Sequence, residues 1–147
     1  IGMPNLVIGR AGWDNWMIYE ARRNGWPVVD ATHSIKIVHQ DHDYSHLPGG
    51  QPHYRHPETR ENVRLGGGDR TIFTLMDCSH ELVDGKLHRE RLSWEKLWRE
   101  VEIFPIVRLH SKSLAQVFYA LFHPVRAYRE FRSWLRLRSE HGKGMNE

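Results

Sequence analysis

Apolar positions recur with a helical period in three stretches of the C-terminal third and form only short, broken runs before it. Trp94, Leu97, Trp98 and Val101 stand at i, i+3, i+4 and i+7 behind Ser93, which predicts a capped helix that Pro105 ends. Leu114, Val117, Phe118, Leu121 and Phe122 repeat the pattern behind Ser113. Pro124 opens a third helix at the first position, where its missing N–H costs nothing. Val125, Tyr128, Phe131 and Leu135 lie on one face of that helix and Arg126, Arg129, Arg132 and Arg136 elsewhere.

The earlier sequence reads as alternating short elements. Asn5 to Ile8 suggest a short strand or the end of one, and Gly9 to Gly12 a flexible loop. A helix begins at Trp13 or Asp14 and stops at Asn24-Gly25, because glycine accepts positive φ at low cost. Trp26 to Ala31 and Ile35 to His39 are expected as strands, the second on its β-branched residues. Gln40 to Gly68 show no period and read as a long loop, uncommon in a compact domain unless it borders a site. Thr71 to Met76 read as a strand and Val83 to Lys86 as a tight turn. The expected class is mixed α/β, with short strands and a helical C-terminal third.

Composition narrows the alternatives. A chain of 147 residues suits one domain, and 27% charged with 39% hydrophobic residues is ordinary for a globular one, although six Trp is high. No run of about 18 apolar residues is present, and Ile1 to Arg10 has no signal-peptide pattern. The opening Ile1-Gly2-Met3 suggests that something precedes these residues in a longer chain. Cys78 is the only cysteine, so an intrachain disulfide and a thiolate zinc cluster are excluded, and a reducing compartment is the simplest reading. The net charge of +3 is uneven: residues 1–105 carry 13 Lys/Arg against 15 Asp/Glu, and residues 106–147 carry 8 against 3.

Two polar clusters hold most of the residues able to do chemistry. Asp14 lies between Trp13 and Trp16 just after a glycine loop, a setting for a general base at a pocket rim or for a helix N-cap. His39, His42 and His46 fall three and four apart with Asp41 and Asp43 among them, and His33, His53 and His56 are near in sequence. Imidazole and carboxylate together suit a divalent cation, and a polar loop whose histidines bond to backbone groups is the alternative. Cys78 beside His80 is a candidate nucleophile or a half-buried structural thiol. Gly66 to Gly68 lack the Lys-Ser/Thr of a phosphate loop and read as a turn. The basic, aromatic-rich C-terminal helices suit an anionic membrane surface, nucleic acid, or a solvated face on a packed helix.

The run Gly9-Arg10-Ala11-Gly12-Trp13-Asp14-Asn15-Trp16, then Val29-Asp30-Ala31-Thr32, then His39 to His46 with Pro48-Gly49-Gly50, and finally Glu61-Asn62 before Gly66-Gly67, resembles the C-terminal half of a bacterial group of glycosyltransferase-like proteins. These are similar to nucleotide-sugar transferases of the GT-A fold, family 2 in kind. The resemblance covers residues 4–75. It implies a partial GT-A-like domain over residues 1–90, with residues 91–141 as an amphipathic helical extension. It places Asp14 in the acceptor-binding or base role, Arg10, Trp13, Asn15, Trp16, Asp43 and Tyr44 around the substrate, and His39 and His42 near a divalent metal, Mn or Mg, and the diphosphate. Asp41-His42-Asp43 falls too late in the order of such enzymes to be their usual Asp-x-Asp metal motif. The nucleotide-binding half of such enzymes is not in the matching region. The expectation is therefore a fragment, or a separate product that keeps the acceptor half and lacks a complete donor site.

The leading expectation is thus the acceptor-binding half of a sugar-nucleotide-dependent transferase acting on a glycan or lipid-linked acceptor. Its partners would be a nucleotide-sugar, the acceptor, the inner face of a membrane and a missing N-terminal half or a second copy, and not nucleic acid. The expected location is the cytoplasm or its membrane periphery. A non-catalytic glycan- or protein-binding module and a metal-dependent hydrolase built on the His/Asp loop are the alternatives.

Overall fold

The computed structural model describes residues 2–38, 45, 48–50 and 52–143. Among them the class is mixed α and β, with five α-helices and one small three-stranded sheet. The chain divides into two compact units, Ile1–Val101 and Glu102–Glu147.

The first unit begins with residues 2–12, which form no strand; Leu6 alone of the predicted strand is buried. Helix α1 (Trp13–Arg23) follows. Its C-terminal stop is the predicted one: Gly25 takes φ 73°, its N–H reaches Arg22 O at 3.1 Å, and Trp26 N–H reaches Ala21 O at 2.9 Å. That pair of bonds satisfies two of the carbonyls every helix end leaves open. Strand β1 is only Val29–Asp30. The expected strand at Ile35 to His39 is absent over its described part, since Ile35 to Val38 pair with nothing in a sheet and are exposed. A β-branched run becomes a strand only by pairing with an adjacent edge, and none of the described strands pairs with this one.

The predicted long loop contains helix α2 (Pro57–Gly66), with Pro57 at its first position and Glu58 in its first turn. It ends as α1 does: Gly67 has φ 112°, and the N–H groups of Gly67 and Gly68 reach Arg64 O and Val63 O at 3.2 and 2.8 Å. Thr71 to Met76 do not form the expected strand. Two single 3-10 turns, Asp69–Thr71 and Leu75–Asp77, flank Phe73, whose ring is fully buried. The second turn is closed by a capping box. Thr74 N–H donates to Asp77 Oδ2 at 2.8 Å, as the box requires, and Asp77 N–H also donates to the Thr74 backbone carbonyl at 2.9 Å, so local bonds replace a sheet ladder.

Strands β2 (His80–Val83) and β3 (Lys86–Arg89) pair antiparallel, His80 opposite Arg89 and Val83 opposite Lys86. The predicted tight turn between them has positive φ at both Asp84 (49°) and Gly85 (71°), the two-residue turn whose twist matches a hairpin. β1 joins the other edge of β2 in parallel, Val29 opposite His80. Tyr19 and Phe73 meet edge to face at 5.3 Å, and with Leu6, Trp16 and Cys78 they form the buried apolar core of this unit. Burial raises the Tyr19 hydroxyl pKa.

Helix α3 (Trp94–Val107) runs past the proline expected to end it. Pro105 sits in the last turn at the cost of one intrahelical donor, and its ring is fully buried. In the second unit, α4 (Lys112–Phe122) is capped by Ser111 rather than Ser113, because the Ser111 hydroxyl accepts from Leu114 N–H at 3.3 Å. α5 (Pro124–Lys143) begins at the predicted proline. Ile103, Ile106, Val107, Ala115 and Tyr119 are buried. The Tyr119 hydroxyl donates to Glu130 at 2.9 Å, tying α4 to α5, and His123 Nε2 lies 3.1 Å from Glu102.

Candidate functional site

The glycine loop before α1 is held by one side chain from α2. Asn62 is fully buried. Its amide oxygen accepts from Val7 N–H at 2.8 Å, and its NH₂ group donates to Val7 O at 2.9 Å, Ala11 O at 3.2 Å and Arg10 O at 3.5 Å. One amide thus satisfies backbone groups on both sides of the loop, which buried polar groups require. Gly12 lets this happen. It has φ 103°, and a Cβ there would lie 3.3 Å from the Asn62 Cβ. Its carbonyl accepts Trp16 N–H at 3.1 Å as the first helical bond.

Asp14 is therefore not the N-cap. Gly12 stands at that position without a side-chain cap, and Asp14 is exposed one residue inside the helix, its Oδ1 accepting from Asn15 N–H at 2.9 Å. A carboxylate in the first turn is favoured by the partial positive charge of the helix N-terminus. Asn15 is turned the other way, its NH₂ donating to Phe73 O at 2.7 Å. Trp16 is only 8% exposed, and a Cβ on Gly66 would lie 3.1 Å from its Cδ1. The motif glycine of α2 is thus the seat of the motif tryptophan of α1, and the Trp16 ring is not offered to solvent. Trp13 and Arg10 are half-buried. Arg10 Nη1 lies 3.4 Å from Gly9 O, and its buried Nε has no hydrogen-bond partner.

His39, His42, Asp43 and Tyr44 lie outside the described residues. Among the described residues no group of three or more His, Cys, Asp or Glu is gathered as a metal site would need. His33 is exposed in the turn after β1, and His56 is buried at the start of α2. In that same turn Asp30 accepts from Thr32 N–H at 2.8 Å and Thr32 Oγ1 at 2.5 Å, and these bonds lower its pKa. The motif residues Asp30 and Thr32 thereby close a local turn. Cys78 is buried to 1% exposure, and desolvation pushes its thiol up to about 11. A thiol so protonated is a poor nucleophile. The neighbouring His80 ring engages the Ser79 hydroxyl at 2.8 Å.

A second buried polar cluster escaped the sequence reading. Asp77, fully buried, accepts from Arg99 Nε at 2.7 Å and Nη2 at 3.2 Å. Lys96, also buried, donates to the carbonyls of Met76 and Cys78 and to Glu90 Oε2 at 2.7 Å. Arg22 pairs with Glu100, both oxygens at 2.6 Å. Lys96 and Arg99 sit on an α3 face that reads from the sequence as an ordinary charged face, and Arg22 lies on α1. The one legible signal was Thr74-x-x-Asp77, a capping-box spacing. Each charge here has its counter-charge or carbonyl, which is the arrangement of a fold-supporting cluster.

Comparison with protein-family models, with curated proteins and with solved structures finds no match to this chain.

Proposed function

We propose that the chain is the acceptor-binding half of a glycosyltransferase-like, sugar-nucleotide-dependent transferase acting on a glycan or lipid-linked acceptor. The observation that carries this reading is the convergence of its scattered motif. Gly12, Trp16, Asn62 and Gly66 come from segments some 50 residues apart, yet they lock into one α1–α2 unit. The unit leaves Asp14 exposed on a fixed helix turn, with the half-buried Arg10 and Trp13 beside it in sequence. A binding group held on a rigid element can be aimed, and aim is most of what acceptor activation needs.

In this reading the Asp14 carboxylate takes the proton of the acceptor hydroxyl as that oxygen bonds to the anomeric carbon, and the nucleoside diphosphate leaves with the electrons of its bond. Arg10 and Trp13 orient the acceptor, and Asn15 and Trp16 support them from within the fold. The reading assigns His39 and His42 to a divalent cation, Mn²⁺ or Mg²⁺, which when bound would neutralise the departing diphosphate.

Calorimetric titration of the chain with nucleoside diphosphates and Mn²⁺ tests the reading, alongside His39→Ala and Asp14→Asn. Metal-dependent binding that weakens about tenfold in His39→Ala and is unchanged in Asp14→Asn is expected. The absence of nucleotide binding with retained glycan binding favours the second reading, a non-catalytic glycan- or protein-binding module. One observation speaks for that alternative. Trp94 and Trp98 are 69% and 48% exposed and meet edge to face at 5.6 Å, presenting aromatic surface to solvent.

A further inference from the structure

The second unit carries an apolar surface and a charge imbalance on the same helix. At 3.6 residues per turn, Tyr128, Phe131, Trp134 and Leu135 of α5 fall within an arc of about 120°. They are 60%, 55%, 51% and 45% exposed. These large side chains are unusual in water, and the preceding helix adds Val117 and Leu121, both also exposed. Arg126, Arg129, Arg132 and Arg136 occupy a separate arc of similar width.

The charge around this face is mostly positive. Residues 112–143 contain seven Lys/Arg and two acidic residues, Glu140 and Glu130, the latter's carboxylate accepting from Tyr119. Aromatic rings and guanidinium groups are interleaved: Phe131 and Trp134 stack at 6.1 Å, Arg132 lies over the Tyr128 ring at 5.8 Å, and Arg138 lies over the Trp134 ring at 5.2 Å. Arginine side chains lying along aromatic surface are the habit of a boundary between oil and water. No described helix is long and apolar enough to cross a membrane.

We infer that α5 lies in the interface of an anionic lipid bilayer, with Tyr128, Phe131, Trp134 and Leu135 entering the headgroup boundary and the arginines meeting acidic headgroups. A purely apolar partner groove would leave this positive charge uncompensated, and the same face of a second copy would bring like charge against it; an acidic bilayer satisfies both faces at once. The inference is independent of the transferase reading and survives its failure.

The test is co-sedimentation of the full chain with vesicles of phosphatidylcholine alone and with about a third phosphatidylglycerol, at low and high salt. Binding to the acidic vesicles only, weakened by salt, is expected. Arg129→Gln with Arg132→Gln should lower partitioning on the order of tenfold, and Phe131→Ala with Trp134→Ala by at least as much. Because a double variant could lose its fold, Trp134→Phe supplies a second reading. In the parent chain, brominated lipid should quench tryptophan emission, and Trp134→Phe should remove much of that quenching while still sedimenting with vesicles. Equal binding to neutral vesicles, no binding, or a dimer in light scattering that Trp134→Ala dissociates would each overturn the proposal, the last by showing that a second copy covers the face.

Discussion

Asn62 does more for the candidate site than any residue of the site itself. Its amide is buried and bonds to Val7, Arg10 and Ala11, so removing it leaves several backbone groups of the loop without partners. Asn62→Ala should destabilise the chain by about 2–4 kcal/mol in urea unfolding. Asn62→Asp should also destabilise, because a carboxylate cannot donate to the loop carbonyls. A loss below about 0.5 kcal/mol in both would mean that the loop is held by something else. Cys78 offers a second check at this scale. With its thiol pushed up to about 11 by burial, roughly one molecule in a thousand carries thiolate at pH 8. The native chain should therefore resist thiol reagents over minutes that modify the unfolded chain fully. The ordinary thiol value is 9.0. The raised folded-state pKa stabilises the fold below pH 9, and that contribution is lost as pH rises from 9 towards 11.

At the scale of elements, the ends matter more than the middles. Ser111 and Ser113 are two residues apart, and either would suit a helix start by sequence alone. Only Ser111 reaches a free N–H, that of Leu114. Ser111→Ala should cost about 1 kcal/mol and Ser113→Ala less than about 0.5 in thermal unfolding. Equal effects would show that the cap is shared. Helix α2 teaches the same lesson. Its apolar positions, Val63 and Leu65, are too few for a period, but Pro57, Glu58 and Gly66-Gly67 are a start and a stop. Reading the punctuation rather than the hydrophobicity would have found it. The Asp84-Gly85 turn was legible for that reason, whereas its strands, half polar, were not.

At the scale of the whole molecule, the first unit is joined by charge as well as by apolar contact. Lys96 gathers the carbonyls of Met76 and Cys78 and the Glu90 carboxylate, while Arg99 takes Asp77, so α3 is fastened to the turn before β2 and to the residue after β3. Lys96→Met keeps the length of the side chain and removes its charge. It should cost about 3 kcal/mol, because Glu90 and two carbonyls lose their donor. Unfolding by denaturant reads this directly, and a neutral or stabilising outcome would show that the ammonium costs as much to bury as its bonds return.

The sequence by itself determined the local features: the α1 stop at Asn24-Gly25, the hairpin turn, the start of α5 at Pro124, and the mixed class with its helical C-terminal third. Each depends on the φ preferences or hydrogen-bonding capacity of residues close in the chain, and these do not wait for a fold. Tertiary structure decided the rest. Ile35 to Val38 have strand composition but pair with no described strand, and Thr74 and Asp77 close a local turn beside Phe73, which is buried in the core. Trp16 and Asn62 both belong to the motif read from the sequence, Trp16 as a candidate substrate contact. Whether they face a ligand or the core depends on what packs against them 50 residues away, and here Gly66 receives the indole and the glycine loop takes the amide.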